Sequence, residues 1–303
     1  MSKAESMFAY PRNDLIAGAV VFLVAIPLCL GIAVACGVPP ISGLIAGIAG
    51  GLIVPWISRS ALSVTGPAAG LTSVVLAEVV NLGSLELFLS AVMAAGVIQF
   101  ALGVLRTGRF TALVPSAVIK GMLAAIGITI VLKQLPVAFG VVGGISQIAT
   151  SLSLGAVLIA AVSLTILFAW AHTPFAKYSV ISPALIVVLV ATGMAMAFAG
   201  IPSLALDAKH FVSVPLGDFN QLVAALPRPD LGALFSPDVW LVGLTIAVVA
   251  SIETLLSLQA IDRLDPLKRK SPPDRELLAQ GVANLASGFM GGLPVTAVIV
   301  RSG

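Results

Sequence analysis

Apolar residues run along this chain in blocks of about 17 to 25, long enough to cross a bilayer as helices, and polar residues collect between the blocks. The pattern predicts full spans near 15–36, 41–57, 84–105, 113–132, 151–170, 181–200, 238–260 and 276–290. Two shorter apolar segments follow glycine-containing breaks, one at about 67–80 and one from 294 onward. The longest polar stretch, 201–237, is rich in proline and mixed charge and reads as an outer connection between two structural blocks. The start, Met1 to Asn13, is polar and lacks a short apolar run ending in a small-residue cleavage site, so the run from Leu15 reads as a retained first span.

The two breaks resemble each other. One reads Ser63-Val64-Thr65-Gly66-Pro67-Ala68-Ala69-Gly70, the other Gly291-Gly292-Leu293-Pro294-Val295-Thr296-Ala297. Each interrupts an apolar run with glycine and then places a proline where a new helix would begin, a position that tolerates the missing N–H. The stretch Ala61 to Val64 looks extended, which at membrane depth requires burial in protein or a cavity lining. Paired helix breaks of this kind point to the binding site of a secondary transporter. Exposed N–H groups and the helix dipole at such ends favour an anion.

Composition agrees with a polytopic membrane protein. Hydrophobic residues make up 59% and charged residues 10%, against roughly 25% charged in soluble domains. Basic residues give the expected orientation. With the N-terminus inside, the inner loops hold Lys3, Arg12, Arg59, Arg106, Arg109, Lys177, Arg263, Lys268, Arg269, Lys270 and Arg275, and the outer loops only Lys133, Lys209 and Arg228. That asymmetry predicts a cytoplasmic N-terminus in the cell's inner (plasma) membrane. The run Lys268-Arg269-Lys270 reads as an inner loop beside an anionic leaflet. The net charge of +3 therefore says nothing of nucleic acid, and no nucleic-acid partner is expected. Cys29 and Cys36, on one helix about 10 Å apart along its axis, read as small packing residues that cannot pair with each other.

Glu253 is the main ionisable candidate, far from either predicted membrane face. Such residues usually face a cavity or bundle interior. It reads as a coupling site for a proton or a cation, with Ser257 on the same helix face one turn on; the competing reading is a structural carboxyl between helices. Arg301 lies two turns beyond Pro294 and reads as an anion or Glu253 partner, or as an arginine reaching the interface. Thr65 and Thr296 flank the breaks as hydroxyl donors or as N-cap and packing groups. Backbone N–H groups at 67–70 and 294–297 are the better anion ligands. The substrate-binding set is accordingly Thr65, Gly66, Pro67, Ala68, Ala69, Pro294, Val295, Thr296 and Arg301. Pro27 kinks the first span, Lys120 snorkels, and His172 and His210 fall in loops. No nucleophile–base or metal constellation appears, so the chain is not read as an enzyme.

In order along the chain, several segments resemble the SulP family of anion permeases. They are Asp14-Leu15-Ile16-Ala17-Gly18, Pro40-Ile41-Ser42-Gly43-Leu44, Ser58 to Pro67, Glu253-Thr254-Leu255-Leu256-Ser257, Arg275 to Asn284, and Ser287 to Thr296 running on to Arg301-Ser302. The resemblance implies an all-α polytopic fold of fourteen segments in two inverted seven-segment repeats, whose half-helices 3 and 10 face each other across the anion. The chain would then be an N-terminal portion truncated within segment 10. It implies a cytoplasmic tail (1–13), a core (14–110 and 238–303, segments 1–4 and 8–10), a gate (111–200, segments 5–7) and an extracytoplasmic connection (201–237). It also implies elevator-like transport of bicarbonate or sulfate, with Glu253 coupling to H+, or to Na+ with Ser257 as second ligand. No cofactor and no dedicated metal site are expected. Expected partners are the small inorganic anion, membrane lipid and, in the full-length form, a second copy. Where relatives carry glutamine after the first-span proline, this chain has Leu28 and Cys29. The alternatives are a nucleobase permease of the same architecture and an anion channel or exchanger without cation coupling.

Overall fold

The structure, a computed structural model, describes residues 11–109, 116–141, 152–170, 172, 183–207, 210–211 and 226–298. The long apolar blocks form helices α1 (Pro11–Ala35), α2 (Pro40–Ser58), α4 (Leu85–Val104), α5 (Ser116–Ala138), α6 (Leu154–Trp170), α7 (Pro183–Phe198), α8 (Pro237–Leu264) and α9 (Pro273–Met290). A shorter helix, α3 (Thr72–Leu82), follows the first break. Proline opens α2, α8 and α9 at the first turn, where its missing donor is harmless. Among the described residues, four helices, Ala17–Ala35 within α1, α2, α4 and α8, are long and apolar enough to span a membrane by length and composition. Large apolar side chains such as Phe22, Trp56 and Met196 stand exposed, as they do on a lipid-facing surface.

The helical description needs one correction. Three residues at each break form strands, β1 (Thr65–Pro67) and β2 (Val295–Ala297), which pair antiparallel. The chain is therefore not strictly all-α. Non-helical backbone at membrane depth has to be satisfied by protein, and the two breaks do this for each other.

The described residues fall into two compact units. One draws on residues 26–128 and 213–303. In it α4 packs along α9, α8 along α4, and α2 along α9. Small residues let the backbones approach, the usual device of membrane helices. A Cβ on Gly281 of α9 would lie 2.5 Å from the backbone nitrogen of Phe100 in α4, and one on Gly96 of α4 would lie 2.6 Å from that of Leu285. Gly43 and Gly47 of α2 meet Cys29 of α1, whereas Gly51 has no atom near its missing Cβ. Cys29 and Cys36 are buried and form no disulfide. Around the α4 core lie Phe88, Ala91, Ala95, Ile246, Ala250 and Ala283, all fully buried. Overpacking costs typically ~1–3 kcal/mol, and backbone cannot move aside as a side chain can. Gly281→Val should therefore destabilise by about 3 kcal/mol, read as a lower unfolding temperature in detergent, while Gly51→Ala should leave it unchanged.

The other unit draws on residues 1–25 and 129–212. There α6 packs on α7. The ring of His210 bonds the Gly140 carbonyl through Nε2 at 2.8 Å, a loop-pinning role.

The α8–α9 connection is ordered by an acid. Asp265 accepts the backbone N–H groups of Leu267 and Arg269 and the Arg269 guanidinium at 2.8 Å. The guanidinium above all, with those amides, holds the Asp265 carboxyl down at about 2.

Candidate functional site

The site is built where the two breaks cross. In the register Thr65 lies opposite Ala297, Gly66 opposite Thr296 and Pro67 opposite Val295. The ladder extends one residue each way: Ala68 N–H donates to Pro294 O at 3.1 Å, and Val298 N–H to Val64 O at 2.9 Å. This moves the helix start. Pro67 closes a strand instead of opening a helix; a 3-10 turn, Ala69–Leu71, intervenes, and α3 begins at Thr72. Local proline preference placed the onset at 67; pairing with a distant segment wins because each buried backbone group must find a partner. Likewise Pro294 stands directly before β2. Arg301, and any helix beyond Val298, lie outside the described residues.

Most amides expected to face an anion are committed within the protein. Ala68 N–H belongs to the ladder. Val295 N–H donates to Asn284 Oδ1 at 2.7 Å, and Ala297 N–H to Thr254 Oγ1 at 3.3 Å. The first turn before α3 is different. Gly70 N–H donates to Oε1 of Glu253, from α8, at 3.2 Å. A carboxylate thus occupies the kind of helix start that attracts anions. Gly70 permits it, since a Cβ there would lie 2.8 Å from Glu253 Oε1. The other oxygen, Glu253 Oε2, is buried without a partner among the described residues, as is Thr296 Oγ1.

The remaining members of the expected set occupy varied places. Thr65 accepts a hydrogen bond from Gln280 Nε2 at 3.0 Å. Ala68 is buried in the apolar core, so its methyl serves packing. The Ala69 carbonyl accepts from the hydroxyl of Thr72, which is outside the expected set, at 2.6 Å, closing the first turn. Ser257 is buried one turn beyond Glu253, and no hydrogen bond joins the two.

Sequence reasoning missed the residues that hold the crossing. Glu276, Gln280 and Asn284 recur every fourth residue along α9, with Ser287 three further on, and all are fully buried. Ser58 donates to Glu276, and Gln280 Nε2 donates to Glu276 Oε1 at 2.8 Å. Asn284 grips β2 as a neighbouring strand would. It accepts from Val295 N–H, and its Nδ2 donates to Val295 O at 3.1 Å and to Gln99 Oε1 of α4 at 2.6 Å. Gln99 passes the chain on to Ser251 of α8 at 3.3 Å, two residues before Glu253. Ser287 accommodates the second break by donating to Leu293 O at 2.6 Å. The stripe was visible as polar residues at helical spacing inside a membrane span, a pattern that marks bundle-facing function.

Comparison with known proteins gives a consistent picture. The model of the sulfate permease family matches residues 12–303. YvdB of Bacillus subtilis, named as a sulfate transporter, is 28% identical over 96% of this chain and 55% of its own length. The bicarbonate transporter BicA of Picosynechococcus is 26% identical over 93% of this chain and 51% of its own. The chain thus spans about half the length of the relatives it matches. The solved transmembrane domain of a cyanobacterial BicA shares the fold with a TM-score of 0.76 at 22% identity, covering 98% of this chain and 77% of that one.

Proposed function

This chain belongs to the sulfate permease family, and on that premise we propose that the whole protein carries a small inorganic oxyanion, bicarbonate or sulfate, by secondary transport. The family is one of multi-pass membrane transporters, not enzymes. The observation that carries the reading is the Glu253 carboxylate on Gly70 N–H beside the β1–β2 crossing. An ionised Glu253 and an incoming anion compete for the same helix start. A proton or a sodium ion that neutralises Glu253 frees that start, so anion and cation bind together. The partnerless Glu253 Oε2 supports a cation in this role, because a buried polar atom is costly unless something pairs with it. Ser257, one turn on along α8, and Thr296, whose Oγ1 is likewise buried without a partner among the described residues, are candidates to add oxygens if the cation is sodium.

Coupling answers an energetic need. Bringing one negative charge into an inside-negative cell costs ~2.3 kcal/mol per 100 mV, and a co-transported cation offsets it. Access alternates as a core (14–110 and 238–303) moves against a gate (111–200) in an elevator-like manner, within a pair of inverted seven-segment repeats. The N-terminus lies in the cytoplasm, as the basic loops favour, and the full-length protein is a homodimer. The family match gives no support to the nucleobase alternative.

The test is uptake of labelled bicarbonate and of labelled sulfate by the full-length protein in liposomes. Saturable uptake of one of them that follows an imposed proton or sodium gradient is expected. Non-saturating flux that follows only the anion's own gradient would mark a channel, and transport confined to neutral nucleobases would end the proposal.

A further inference from the structure

The end of the larger unit where α2, α4 and α8 finish and α9 begins carries an unusual distribution of charge. Its carboxylates are all turned to internal work. Asp262 accepts from Ser271 Oγ at 2.7 Å, Asp265 is bound to Arg269, Asp274 accepts Gly108 N–H at 2.9 Å, and Glu276 is buried under Ser58 and Gln280. Six of its cations are not. Arg59, Arg106, Arg263, Lys268, Lys270 and Arg275 are exposed, and none has a carboxylate partner among the described residues.

Two hydrogen bonds gather these cations on one face. Ser60 and Ser271 meet through their hydroxyls at 2.8 Å, which brings the segment of Arg59 beside that of Lys270. The Gly108–Asp274 bond does the same for the segments of Arg106 and Arg275. Exposed apolar residues lie directly among the charges: Leu105 beside Arg106, and Leu264 and Leu267 before Lys268. Only Arg269 of the basic run is withdrawn from this surface, by Asp265.

A second observation concerns the backbone. Among the described residues, Arg59, Arg106 and Lys268 are the non-glycine positions with left-handed backbone, at φ of 59°, 56° and 52°. Glycine is the residue such positions favour. All three instead carry a long cationic side chain, Arg59 and Arg106 at the ends of α2 and α4 and Lys268 in the α8–α9 connection.

We propose that this end is a binding collar for anionic phospholipid headgroups, with the interspersed leucines entering the acyl boundary. Charge complementarity names the occupant: a cationic surface stripped of its acids, mixed with apolar side chains, fits a phosphate diester on a lipid. Each Lys or Arg near an anionic surface contributes about fivefold in affinity, the equivalent of ~1 kcal/mol.

The backbone supplies a clean test. In the full-length protein, Arg59→Gly, Arg106→Gly and Lys268→Gly together remove three charges while giving the left-handed positions their favoured residue, so folding is preserved. The readouts are lipid retention by native mass spectrometry and unfolding temperature, in phosphatidylglycerol against phosphatidylcholine. Wild type should prefer phosphatidylglycerol, and the preference should weaken at high salt. The triple variant should lose at least about tenfold of that preference and unfold no lower than wild type in neutral detergent. Restoring lysine at the three positions should restore it. An undiminished phosphatidylglycerol preference in the triple variant would overturn the proposal. So would charge-dependent binding of a soluble polyanion such as heparin without any preference among lipids, which would assign the collar to an acidic protein partner.

Discussion

With Glu253→Gln in the full-length protein, cation-driven accumulation of the anion should fall about fiftyfold at a membrane potential of roughly 100 mV, the factor set by one uncompensated charge. Anion binding should persist and tighten. The glutamine amide still offers an oxygen to Gly70 N–H, so the 3.2 Å contact before α3 is conserved in kind. What disappears is the negative charge competing for that helix start. Binding measured calorimetrically, beside uptake under separate pH and sodium gradients, distinguishes the effects. Unchanged dependence on both gradients would reduce Glu253 to a structural acid. Weakened anion binding would remove the competition on which coupling is argued.

The second large effect belongs to Asn284→Leu. Leucine fills a similar volume but abandons Val295 N–H, Val295 O and Gln99 Oε1, the three groups Asn284 satisfies. An unsatisfied buried polar group costs about 1–3 kcal/mol, so a loss on the order of 4 kcal/mol is expected, seen as a lower unfolding temperature. Anion affinity should drop with it, because β2 loses the clamp that fixes its position. Adding Gln99→Leu should recover part of the stability, since it removes one of the orphaned groups. A single variant as stable as wild type would show that β2 holds itself in place without α9.

Much of this architecture was legible from hydropathy. α2, α4, α8 and α9 begin within three residues of the starts read from the apolar blocks, because at membrane depth burial in lipid and helix formation follow from composition alone. The breaks around Pro67 and Pro294 were legible as breaks. Their pairing was not: three-residue strands so far apart in sequence carry no local signal, and each is held by a partner that the pattern around it does not name. For the same reason the helix onset was placed at Pro67 instead of the turn at Ala69. Glu253 stood out because an acid inside an apolar helix is rare, but its partner, the Gly70 amide, is a backbone atom that composition cannot point to. Gln280 and Asn284 were overlooked although their spacing was in plain view. They enter the sequence reading only within the Arg275-to-Asn284 segment of the family resemblance, and only the fold shows that one side of α9 is a scaffold for extended chain.

The β1–β2 ladder also constrains how access to the crossing can change. A rocker that opens by parting the two breaks would have to separate Ala68 from Pro294 and Val64 from Val298. In a water-poor interior each broken pair leaves groups that nothing replaces, at several kcal/mol apiece. The ladder thus rivets the two halves of the crossing into a single piece, and in the transport proposed above their spacing should stay the same whichever side faces solution. Alternation has to come from the surroundings sliding past that piece, or from the piece being carried whole.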